Sequence, residues 1–120
     1  MRGDIYLADL NPSRGSEQAG IRPVIIVQRD TLDRFTTTVV VVPVTSNLRR
    51  AKIPGTIILP TGEGGLTQDS VVLCYQIVAL DRERLIRKLG SLSADYVSRL
   101  QVALQYTLQM DEFDDENVEK

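Results

Sequence analysis

The chain of 120 residues has no histidine, no tryptophan and a single cysteine. Each absence removes a class of chemistry. Without histidine there is no imidazole to serve as general base at neutral pH, and the commonest metal ligand is missing. Cys74 has no partner for an intramolecular disulfide, which points to a reducing compartment. With no histidine to activate it, it reads as a buried core thiol rather than a nucleophile. Two phenylalanines and four tyrosines supply a nucleic-acid stacking platform poorly. No apolar run approaches the ~20 residues that cross a bilayer, and no basic start followed by an apolar stretch marks a secretory leader. The expectation is one soluble cytoplasmic domain with no metal and no cofactor: outside the C-terminal end no carboxylates pair up as ligands.

What is present is unevenly distributed. The net charge of −2 hides a split. The last ten residues, DEFDDENVEK, hold six acids against one lysine, while residues 1–110 hold thirteen basic and ten acidic groups. Seven of those basic groups are arginines between Arg2 and Arg50, with Lys52 just beyond. A mildly basic body is compatible with an anionic partner, and equally with an ordinary solvated surface. We expect a single domain over 1–110 and an acidic, disordered tail over 111–120.

Strands punctuated by turns fill the first two thirds of the chain. DIYLADL (4–10) alternates; PVIIVQR (23–29) and TTVVVVPV (37–44) are rich in β-branched residues; GTIILP (55–60) is short and bounded by Gly and Pro. DSVVLCYQIVAL (69–80) is almost continuously apolar and reads as one central strand. Connections too short for crossover helices imply a small antiparallel sheet or barrel. From Ser93 to Met110 the period becomes helical, with Val97, Leu100, Ala103, Leu104, Thr107 and Leu108 on one stripe and Ser93 as N-cap. TGEGG (61–65) lacks the Lys-Ser/Thr of a phosphate loop and reads as a turn.

The stretch between the first two strands carries the most chemistry. GSEQAGIRP (15–23) is a long connection whose glycines, Gly15 and Gly20, permit positive φ and close approach of another molecule. Ser16 and Gln18 offer hydrogen-bonding groups and Glu17 a carboxylate. Pro23 pushes Arg22 into the extended region, so a permanently charged, forked guanidinium starts a strand: an anion site. At the end of the third strand, Thr45 and Ser46 sit where chain leaves sheet, and Arg49, Arg50 and Lys52 follow on a loop. Read alone, Thr45 is a turn residue bonding its own backbone, and the cations are a solvated face or contacts along a phosphate backbone.

Taken together, GSEQAGIRPVIIVQ, the PVTS turn, QDSVVLCYQI and the closing helix resemble the MazF/PemK-type toxin family over residues 2–110. The resemblance implies a small SH3-like antiparallel barrel, mainly β in an α+β fold, with a C-terminal helix packed on the sheet. It implies a homodimeric, sequence-specific endoribonuclease that cleaves single-stranded RNA without metal, leaving a cyclic phosphate. A cognate antitoxin, acidic and partly disordered, would silence it. By position, the resemblance puts Arg22 and Thr45 in the catalytic places and Ser16, Glu17 and Gln18 in the supporting loop. Ser46, Arg49, Arg50, Lys52 and Gln76 fall in the RNA-binding set. Many relatives carry an acid where this chain has Tyr75. Two roles stand for Glu17, general base or structural brace, and the cleavage motif is left to loops 30–36, 46–54 and 61–67. Two rivals remain: a toxin of the same fold that grips a protein such as a topoisomerase, and a non-catalytic RNA-binding module.

Overall fold

The computed structural model describes residues 1–12, 15 and 17–111. Ser16 and the acidic segment beyond Asp111 therefore lie outside the described residues. Among the described residues seven strands form one curled antiparallel sheet: β1 (Asp4–Asp9), β2 (Ile21–Ile26), β3 (Thr38–Thr45), β4 (Ile57–Leu59), β5 (Ser70–Val72), β6 (Val78–Asp81) and β7 (Leu85–Ser91). The spatial order is β4-β5-β3-β2-β1-β7, with β6 also paired to β3. The helix α1 (Ala94–Thr107) follows β7. Among the described residues no helix is long and apolar enough to cross a membrane.

The continuous apolar runs have a simple cause: the sheet is covered on both faces. Ile5, Ile25, Val42 and Val44 join Val72, Leu100 and Ala103 in a core beneath α1. Val24, Ile26, Val39 and Val41 point the other way, packing with Ala8, Leu10 and Leu80. Successive residues of β2 and β3 thus bury on alternate sides. Each fully buried Val or Ile stabilises the fold by roughly 1.5–3 kcal/mol relative to exposure.

Three expectations change. The stretch 69–80 is not one strand: β5 ends at Val72, a 3-10 turn covers Cys74–Gln76, and β6 begins at Val78. The cause lies in β3, which pairs with β6 along Thr38–Val41 and with β5 at Val44–Thr45. A straight strand could not follow both segments of a curling neighbour. The strand β7 went unanticipated because most of its side chains are exposed or half-buried, so no apolar run announces it. Ser93 is the N-cap residue of α1, but its side chain does not cap. Instead the Glu63 carboxylate, from the TGEGG turn, accepts from Ser93 N at 2.7 Å and from Ser93 Oγ at 3.3 Å. On the helix stripe, Leu100 and Ala103 are buried while Leu108 is about half exposed.

Candidate active site

The β1–β2 connection is folded back on itself. Leu10 N donates to Gly20 O at 2.9 Å, and Gly20 N donates to Asn11 Oδ1 at 3.0 Å. Gly20 has φ +77, a left-handed conformation that L side chains rarely adopt. Arg84, on the turn before β7, donates to the carbonyls of Asp9 and Asn11 and so fixes where the loop leaves β1. On the far side of the loop, Gln18 N donates to Gln76 Oε1 at 3.0 Å. That bond spans 58 residues of chain and anchors the loop to the Cys74–Gln76 turn.

Arg22 is the second residue of β2 and is extended, as its place before Pro23 requires. It is exposed, and its Nε donates to Ala19 O at 3.1 Å. Among the described residues no acceptor takes the hydrogens of its two terminal nitrogens. The guanidinium is therefore held by one nitrogen and presents the other two outward, the geometry that pairs with two phosphate oxygens.

Thr45 ends β3 and is buried. Its Oγ1 accepts from Asn47 N at 3.2 Å, the local turn bond that its sequence position suggested. This bond uses a lone pair and leaves the hydroxyl proton to donate elsewhere. Extended past its last pair, the β2–β3 register sets Thr45 opposite Arg22. Val24 pairs with Pro43, and two residues beyond this pair on each strand stand Arg22 and Thr45. Side chains alternate at period two, so both share the face of the Val24–Pro43 pair at the same end of the sheet.

A cleft of about 470 Å³ opens beside Pro43; Arg22 and Thr45 are not among the residues that line it. Glu17, Gln18, Pro43, Tyr75 and Gln76 line one part of it, and β6 with Asp81 and Arg84 lines the rest. Glu17 is exposed, without the desolvation that a base role called for. Ser46, Arg49 and Lys52 are exposed on the turn that follows Thr45. Asn47 Oδ1 caps that turn by accepting from Arg49 N at 3.2 Å. Arg50 is half-buried, and its Nη1 donates to the Tyr75 hydroxyl at 2.8 Å. Two residues that sequence reasoning did not assign, Tyr75 and Arg84, thus stand in the cleft wall. Arg84 is hidden in the charged run DRER, where nothing distinguishes it from a solvated arginine.

Cys74 is buried beneath this wall, and burial pushes its thiol up to about 11. It stays a neutral thiol at neutral pH. Among the described residues no three His, Cys, Asp or Glu side chains come together as a metal site.

Residues 1–108 match the family described as the PemK-like, MazF-like toxin of type II toxin–antitoxin systems. Endoribonuclease MazF of Staphylococcus epidermidis is 43% identical over 113 residues, covering 94% of either chain. A MazF structure from Deinococcus radiodurans superposes with a TM-score of 0.77 at 27% identity, over 91% of this chain and 96% of that one. A mycobacterial endoribonuclease solved with its cognate antitoxin gives a TM-score of 0.77 at 25% identity, over 92% and 96%. This chain belongs to the PemK-like, MazF-like toxins of type II toxin–antitoxin systems.

Proposed function

We propose that the protein is the toxin of a toxin–antitoxin pair and acts as an endoribonuclease on single-stranded RNA, with no metal in the reaction. Membership of the toxin family and the 43% identity to an endoribonuclease support the activity. The observation that carries the site is the β2–β3 register, which puts Arg22 and Thr45 on one face of the sheet, the face of Pro43 in the cleft wall.

RNA brings its own nucleophile, the 2′-hydroxyl. The protein's task is to hold that oxygen in line with the phosphorus and to stabilise charge growing on the phosphoryl oxygens. The outward nitrogens of Arg22 bind the non-bridging oxygens as negative charge accumulates. The Thr45 proton adds one neutral hydrogen bond. The 5′-oxygen leaves and the 2′-oxygen stays on phosphorus, giving a cyclic phosphate and a 5′-hydroxyl end. Gln18, Glu17 and Gln76 keep the loop over the cleft, with Glu17 as a brace rather than a base. Ser16 completes that loop in the proposal. Ser46, Arg49, Arg50, Lys52 and Gln76 contact the strand on either side of the cut.

The working protein is a single domain over residues 1–110 in a cytoplasmic homodimer. A segment of a cognate antitoxin, acidic and ordered on binding, covers the basic surface. The test is digestion of single-stranded RNA in excess EDTA with both product ends mapped. Cleavage that continues in EDTA, with a cyclic phosphate and a 5′-hydroxyl, is the result expected. Activity lost to chelator and restored by Mg²⁺, or cleavage 3′ of a 2′-deoxy nucleotide, overturns the mechanism.

A further inference from the structure

The Cys74–Gln76 turn grips both neighbouring loops with consecutive side chains. Gln76 accepts from the Gln18 backbone, while the Tyr75 hydroxyl accepts from Arg50 Nη1 at 2.8 Å. Tyr75 is half-buried and lines the cleft. A phenol can accept through its lone pairs and donates one proton. The bond from Arg50 occupies a lone pair and leaves the proton unspent, and among the described residues no acceptor takes it. The permanent charge on Arg50 polarises the hydroxyl and strengthens it as a donor. Arg50 is itself fixed, because its turn is capped by Asn47 directly after β3. The cleft wall therefore holds an oriented O–H donor that has no acceptor among the described residues.

Single-stranded RNA is read by hydrogen bonds to splayed base edges. Uracil and guanine carry a carbonyl oxygen, at O4 and O6, where cytosine and adenine carry an amino group. We propose that Tyr75, held by Arg50, is a specificity-determining residue: its hydroxyl donates to one base of the RNA and selects uracil or guanine over adenine or cytosine there. The inference rests on the reading of the cleft as an RNA site.

The experiment is digestion of a random-sequence single-stranded RNA pool, with sequencing of the product ends, for the wild type and three variants. Tyr75→Phe keeps the ring and its stacking face and deletes only the hydroxyl. One position of the cleavage motif should be restricted to U or G in the wild type. Tyr75→Phe should flatten that position about three- to ten-fold, the worth of one hydrogen bond, and leave the other positions and the melting temperature unchanged. Arg50→Ala, which keeps the phenol but frees it, should weaken the same position. Tyr75→Glu, acceptor-only when ionised, should turn the preference toward A or C. A wild type that cleaves with no U/G-restricted position overturns the inference. So does a Tyr75→Phe profile identical to the wild type, or one degraded at every position together. A wild type that cleaves no RNA overturns the nuclease reading itself, and this inference with it.

Discussion

In the proposed reaction the arginine before Pro23 uses all three of its guanidinium nitrogens. One is spent on Ala19 O, which fixes the side chain, and two remain for a phosphate. Lysine's ammonium is a point charge without the planar fork, so it cannot reproduce the paired contact with two phosphate oxygens. Arg22→Lys should lose at least ~10-fold in single-turnover cleavage, about 1.4 kcal/mol of barrier, with RNA affinity falling less. A near-wild-type rate would remove Arg22 from the chemistry. Thr45 combines two duties in one hydroxyl, accepting from Asn47 N and keeping a proton to donate. Thr45→Val should therefore cost ~10-fold or more in rate. It should also cost about 1 kcal/mol in stability, since the buried turn bond is lost as well. Thr45→Ser should recover most of both. If only the melting temperature moves, Thr45 is a turn residue and nothing more.

Among the elements, α1 shows how an end is secured from a distance. Ser93 occupies the N-cap position, yet it is the Glu63 carboxylate, 30 residues earlier, that bonds Ser93 N and Oγ. A carboxylate at a helix N-terminus also meets the positive end of the helix dipole. Glu63→Ala should cost about 1 kcal/mol, read as a lower urea midpoint with an unchanged slope. A midpoint equal to the wild type's would leave the Glu63 contact without energetic weight. At the other end of α1, Met110 N donates to Gln105 O and Gln109 N to Tyr106 O, while Gln109 takes φ +54. This is the left-handed closure that normally favours glycine. Gln109→Gly should raise stability by a few tenths to about 1 kcal/mol. A lowered melting temperature would mean that the Gln109 side chain contributes more than its backbone costs.

At the scale of the whole molecule, Asp4 ties the amino terminus and β7 to β1. Burial alone would raise its pKa. The hydrogen bond from Ser91, the amino terminus and the charge of Lys88 outweigh burial and hold the carboxyl below the usual range. Its stabilisation is therefore complete above the ordinary aspartate value of about 3.9 and drains away as pH falls through the lower folded value. Asp4→Asn should be less stable than the wild type at pH 7, with the gap closing in acid. A gap that is constant with pH would rule out the ionised carboxylate as its source. The sequence by itself determined what neighbours along the chain decide. The β-branched runs made strands, the helical period made α1, and Pro23 forced Arg22 to be extended. The chemistry proposed for GSEQAGIRP and PVTS is read from the sequence because residue types, not contacts, carry it. Only the tertiary structure decided which of those groups meet. An apolar run such as VVLCYQIVAL looks the same whether it continues or breaks, and it breaks because β3 has already curled beside it. The pairing of Val24 with Pro43 brings Arg22 and Thr45 to one face, and hydrogen bonds spanning 58 and 25 residues join Gln18 to Gln76 and Arg50 to Tyr75. Partners that far apart leave no periodic trace in a single chain, since their bonds form only once the sheet has fixed its register.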